Sequence, residues 1–217
     1  MKIFRLLSLL LVVLLASCLN KKKSADTGMP GNESRYVVLA YVTSWGISTP
    51  ETSCLTHINY AFGHVADDNE PRLQMIVGLK KEKPSLKVLL SVGGWGSSRF
   101  SEMAANDSTR TAFAADCRRV IDKFGLDGID IDWEYPGSGT AGISFSSADK
   151  ENFTLLMRDV RQAVGKDKLL TIATAATGRY YDFRAIEPYV DYVNIMAYDM
   201  EEAPFHHAAL HCSDMTE

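Results

Sequence analysis

The chain has 217 residues, 46% of them hydrophobic and 23% charged, and a formal net charge of −4. Composition of this kind excludes collagen-like repetition and wholesale disorder. The basic residues are scattered among acidic ones, so no nucleic-acid partner is expected and an uncharged polymer is acceptable to the surface.

Lys2 and Arg5 precede an apolar run from Leu6 to Leu15. At ~1.5 Å per residue this run is far short of a ~30 Å hydrocarbon core, and it reads as an export signal. Leu15-Ala16-Ser17-Cys18 then resembles a bacterial lipobox. On this reading residues 1–18 are a lipoprotein signal peptide, Cys18 is the lipidated residue, and residues 19–34 are a flexible tether. The expected location is exported and membrane-anchored, periplasmic or at the cell surface, as a monomer. Residues 35–217 are the expected folded domain. Cys54, Cys117 and Cys212 are odd in number and widely spaced, which gives no disulfide framework. Cys117 falls on the apolar face of a helix and is expected in the core.

β-branched runs alternate with helical periodicity along the rest of the chain. Strands are predicted at Tyr36–Val42, His57–Phe62, Lys87–Val92, Gly128–Asp132, Leu169–Thr174 and Tyr192–Met196. Phe113, Cys117, Val120, Ile121 and Phe124 recur at helical spacing, with Gly125 as a stop signal. Phe153, Leu156, Met157, Val160 and Val164 do the same behind a capping-box arrangement of Ser146 and Asp149. This order implies an α/β fold with a parallel sheet. A doubly wound sheet and a (β/α)8 TIM barrel both fit it. The polar residues gather at strand ends, at Gly93-Gly94-Trp95, Asp132 to Glu134 and Tyr198-Asp199, which favours the barrel. Only about six of eight βα units are visible. A barrel usually takes ~250 residues, so the expectation is a domain incomplete at its C-terminus.

The run Asp127-Gly128-Ile129-Asp130-Ile131-Asp132-Trp133-Glu134 carries the chemistry. Residues two apart share a face of a strand, so Asp130, Asp132 and Glu134 point one way, ~6.5–7 Å apart, and Ile129, Ile131 and Trp133 the other. Asp127 has the opposite parity and reads as a structural acid at the strand entrance. Three acids on one buried face raise at least one pKa, which keeps a carboxylic acid protonated for donation to a leaving oxygen. Glu134, last on the strand, is the expected general acid. Calcium loops carry their oxygens on polar turns rather than between Ile and Trp.

These residues resemble a known family. Asp127-x-x-Asp130-x-Asp132-x-Glu134 followed by Tyr135-Pro136-Gly137 is similar to the signature of family 18 glycoside hydrolases, the chitinase family. Ser91-Val92-Gly93-Gly94-Trp95, Met196-Ala197-Tyr198-Asp199, Tyr41-x-x-x-Trp45 and Tyr60-Ala61-Phe62 resemble its other strand-end motifs. The resemblance runs from about Tyr36 to Cys212. It implies a TIM barrel and substrate-assisted, retaining hydrolysis of β-1,4-linked N-acetylglucosamine polymers or oligomers through an oxazolinium intermediate. Glu134 would act as acid and then base. Asp132 would hold the acetamido N–H, and Asp130 would share a proton with Asp132. Tyr198 would hold the acetamido group, with Met196 and Asp199 beside it. Tyr41, Trp45, Phe62, Gly93, Gly94 and Trp95 would bind substrate, with ordinary core packing an even alternative for Phe62. No metal or organic cofactor is implied. His206, His207, His211 and Cys212 could suggest zinc, but the resemblance makes this loop a variant of a family pattern. Two other readings stay open: an endo-β-N-acetylglucosaminidase acting on N-glycans, and a non-catalytic glycan-binding lipoprotein or inactive fragment.

Overall fold

The computed structural model describes residues 36–63 and 70–200. The expected signal peptide, Cys18, the tether and the His206–Cys212 loop lie outside the described residues. Among the described residues six strands form one parallel sheet in chain order: β1 (Leu39–Thr43), β2 (His57–Gly63), β3 (Lys87–Gly93), β4 (Gly128–Asp132), β5 (Leu169–Ala175) and β6 (Tyr192–Met196). The helices are α1 (Glu70–Gly78), α2 (Phe100–Ala104), α3 (Asp107–Phe124), α4 (Asp149–Val164) and α5 (Phe183–Ile186). Consecutive strands neighbouring in sequence order, each parallel to the last, make a curled partial (β/α)8 barrel.

β4 and β6 run as the alternation predicts. β1 is shorter than expected, starting at Leu39 instead of Tyr36. Val37 is exposed, so extending the strand to it would bury little apolar area. The strand–helix alternation also fails between β1 and β2, which are joined without a helix. Gly46, Pro50 and a run of Ser and Thr leave that segment no apolar helical period.

The main core lies on the outer face of the sheet. Ile58, Tyr60, Val88, Leu90, Ile129, Ile131, Leu170 and Ile172 pack there against Ala114, Cys117 and Ile121 of α3 and Phe153, Leu156, Met157 and Val160 of α4. Burial pushes the Cys117 thiol up to about 12, which leaves it inert. Gly125 ends α3 in the left-handed conformation, φ 67°, as its position after the last apolar residue suggests. Arg110 of α3 is buried and ties three helices together. It donates to Asp159 of α4 at 2.9 Å, to the Ala104 carbonyl of α2 at 2.6 Å, and to Asp107.

Half of the expected capping box is present ahead of α4. Asp149 Oδ2 accepts from the Ser146 N–H at 2.8 Å, the reach-back half of the motif. The reciprocal bond is absent, because Ser146 Oγ takes the Ala148 N–H instead. Asp149 is fully buried and also accepts from Ser101 Oγ at 2.7 Å and Gly137 N at 3.2 Å. The acid therefore anchors the loop that follows β4 as well as the helix.

Candidate active site

β4 brings Asp130 and Asp132 to the inner face of the sheet, and Glu134 follows at its C-terminal end. Their residues are 0%, 3% and 8% exposed. Ile129, Ile131 and Trp133 are equally buried on the outer face. Asp127 lies just before the strand, where Lys80 approaches at 2.6 Å, Lys87 at 3.5 Å and the Val88 N–H at 2.9 Å. It joins β3 and β4 at the end of the sheet remote from Glu134.

Asp130 is the hub of the inner face. Its Oδ2 accepts from Tyr41 and Ser91 hydroxyls, both at 2.8 Å, and its Oδ1 from Thr171 Oγ1 at 2.6 Å and Asn194 Nδ2 at 3.1 Å. Four other strands thus converge on one carboxylate, and none of these donors is Asp132. Burial raises the Asp130 pKa, and the four donors oppose that rise. Tyr41 is itself raised, by burial first and then by the Asp130 charge, so its hydroxyl stays a neutral donor.

Asp132 is pushed up to about 8, by burial and then by the charges of Glu134 and Asp130. Its Oδ1 is buried without a hydrogen-bond partner among the described residues. Glu134 is raised by burial, and a hydrogen bond from Tyr135 opposes the rise. The sheet thus holds two carboxyls with raised pKa values, Asp132 at about 8, above one that accepts four hydrogen bonds. That arrangement can donate a proton at neutral pH.

The remaining residues surround this row. Met196 ends β6 beside Ala175, and Tyr198 follows, 55% exposed, its pKa raised by partial burial and then by the charges of Asp132 and Glu134. Asp199 adopts φ 53° at an exposed turn. Trp45 and Trp95 are 68% and 62% exposed, on the loops after β1 and β3. Phe62 sits 6.3 Å from Trp45, ring centre to ring centre.

The two glycines make room for protein atoms. A Cβ on Gly93, at φ 128°, would lie 1.9 Å from the Asp132 carbonyl oxygen, and one on Gly94 would lie 2.8 Å from the Phe62 ring. Gly94 N also donates to that carbonyl at 2.9 Å. The space they leave lets the β3 end approach β4 and seats Phe62.

Residues 37–216 match the family model for Glycosyl hydrolases family 18. The chain belongs to this family. Probable chitinase 2 of Drosophila melanogaster is 32% identical over 223 residues, which is 87% of this chain and 45% of that protein. Chitinase A1 of Niallia circulans is 42% identical over 137 residues, 58% of this chain and 20% of the relative. The crystal structure of the chitinase domain of spore coat protein CotE from Clostridium difficile superposes with a TM-score of 0.74 at 35% identity. It covers 87% of this chain and 59% of that one. The chain spans less than half the length of these two curated relatives.

Several residues of this family 18 site escaped the reading of the sequence. Ser91, which heads the Ser91-Val92-Gly93-Gly94-Trp95 motif, holds Asp130 together with Thr171 and Asn194, and only inward parity, shared with Gly93, Ala173 and Met196, could have pointed to the last two. Tyr41 reaches beneath the acids to Asp130. The Ala61–Phe62 and Glu134–Tyr135 peptide bonds are cis, and the β2–β3 register shifts between Ala61 and Gly63. Neither feature follows from strand alternation.

Proposed function

We propose that the chain hydrolyses β-1,4 bonds between N-acetylglucosamine units of chitin or its oligomers, with Glu134 as the proton donor. The observation that carries this reading is the acid row. Burial raises the Glu134 pKa at the strand end, beside an Asp132 whose pKa is about 8 and whose buried Oδ1 lacks a partner among the described residues. A buried polar atom with no partner is costly unless a ligand satisfies it. The acetamido N–H of the substrate suits that oxygen.

In the proposed reaction Glu134 gives its proton to the glycosidic oxygen as the C1–O bond breaks. The carbonyl oxygen of the same sugar's acetamido group closes on C1 from the opposite face, forming an oxazolinium ion. Asp132 faces the positive charge, and Asp130, ringed by donors beneath it, raises the Asp132 pKa. The Glu134 carboxylate then takes a proton from water as the water oxygen bonds to C1. The ring opens, the acetamido group is restored, and configuration is retained. Tyr198 holds the acetamido group, with Met196 and Asp199 beside it, and the exposed Trp45 and Trp95 offer ring faces to the sugars.

Glu134→Gln should lower hydrolysis of chitotetraose by roughly 10²–10⁴-fold. Undiminished hydrolysis would refute the assignment. Release from a high-mannose glycoprotein alone, with none from chitotetraose, would overturn the substrate. We also propose a lipid on Cys18 that anchors the exported protein, on the strength of Leu15-Ala16-Ser17-Cys18. Fatty-acid labelling should be lost in Cys18→Ala, and persistent labelling would refute the anchor.

A further inference from the structure

The loop between β5 and α5 reaches back over the end of β4. Tyr180 stacks on Tyr135 with ring centres 4.5 Å apart and planes 7° from parallel. Tyr181 is buried and donates its hydroxyl to the Trp133 carbonyl at 3.0 Å. Adjacent tyrosines therefore hold the residue before Glu134 and the residue after it. We propose that Tyr180 and Tyr181 form a clamp that sets the orientation of the Glu134 carboxyl. They are positioning residues, and the inference rests on reading Glu134 as the proton donor.

The clamp is itself braced. Arg179 lies over the Tyr180 ring, 4.7 Å from its centre, and donates to the Tyr180 hydroxyl at 2.5 Å. Lys150 of α4 donates to the Arg179 carbonyl at 3.3 Å. Tyr181 packs edge-on against Phe153, 5.1 Å away, in the outer core. Trp95 meets Tyr135 edge-on at 6.3 Å, so Tyr135 is held from two loops. Its hydroxyl hydrogen-bonds Glu134 and favours the carboxylate. A side chain with its neighbours fixed on both sides loses little entropy on aiming its carboxyl. Displacing a reacting group by ~1 Å can cost ~10²-fold in rate.

The titratable groups facing Glu134 are Asp132 on β4, Tyr135 beside it, Tyr181 on the clamp and Tyr198 after β6. All of them stay in place in Tyr180→Leu, so a change in Glu134 reports the lost stack.

The experiment uses the full chain labelled with [13Cδ]-glutamate, the Glu134 resonance being assigned by its loss in Glu134→Gln. In Tyr180→Leu that resonance should titrate at higher pH, because Tyr135 is no longer held on the carboxylate. Tyr180→Phe, which keeps the stack, should titrate like the wild type and report that the loop still folds. On chitotetraose, kcat should fall roughly tenfold or more in Tyr180→Leu with KM little changed. A Glu134 titration in Tyr180→Leu superimposable on the wild type overturns the clamp. Full hydrolysis by Glu134→Gln would instead refute the donor assignment, and the titration would still be readable.

Discussion

The two faces of β4 are equally buried and held in opposite ways. Outward, Trp133 stacks on Phe100 at 5.4 Å and meets Phe153 at 6.1 Å, within a continuous apolar core. Inward, Asp130 is held by four hydrogen bonds, and Asp132 keeps an oxygen with no partner among the described residues. Burial on the outer face stabilises by removing apolar area, at about 25 cal/mol per Å². Burial on the inner face costs desolvation, which is visible as raised carboxyl pKa values. Low exposure therefore does not distinguish a residue that supports the fold from one the fold must support.

Substitutions on each face test that contrast. Trp133→Ala should cost ~3–5 kcal/mol in urea unfolding, as for other large core truncations. A loss below ~1 kcal/mol would break the claim that the outer face carries stability. Gly93→Ala should cost roughly 1–3 kcal/mol from its backbone conformation alone, with more from the clash with Asp132. A neutral result would show that β3 and β4 separate easily.

Asp132→Asn should act in the other direction. The folded Asp132 pKa of about 8 lies above the ~3.9 of an unfolded aspartate. Between those values the folded state binds the extra proton, so wild-type stability falls as pH rises from about 4 through 8. The variant escapes this penalty, so its advantage should grow over that window, to ~1 kcal/mol or more near pH 8. An advantage independent of pH would count against a protonated Asp132. Smallest is Trp95→Ala, at an exposed position, which should change stability by no more than ~0.5 kcal/mol while raising KM for chitotetraose. An unchanged KM would remove Trp95 from the substrate wall.

Much of this was legible because strand parity is local. The alternation in Asp130-Ile131-Asp132-Trp133-Glu134 assigns faces without any knowledge of neighbours, and Phe113 to Gly125 announces a helix and its end. The Ser146–Asp149 pair was only half legible, since the burial of Asp149 under Ser101 involves a helix distant in sequence. Gly93 and Gly94 could be seen as special, yet what fills the space beside them, the Asp132 carbonyl and Phe62, depends on neighbouring strands.

The sequence by itself determined the parallel α/β order, the acid strand and which of its faces carries acids, because these depend on periods of two and about 3.6 residues. Only the tertiary structure decided which groups meet the acids. Ser91, Thr171, Asn194 and Tyr41 converge on Asp130 from four strands, and Tyr180 and Tyr181 reach Tyr135 and Trp133 from a loop more than forty residues away. Hydrogen bonds and stacking act over a few ångströms in space, and no local period encodes which distant residue will occupy that space.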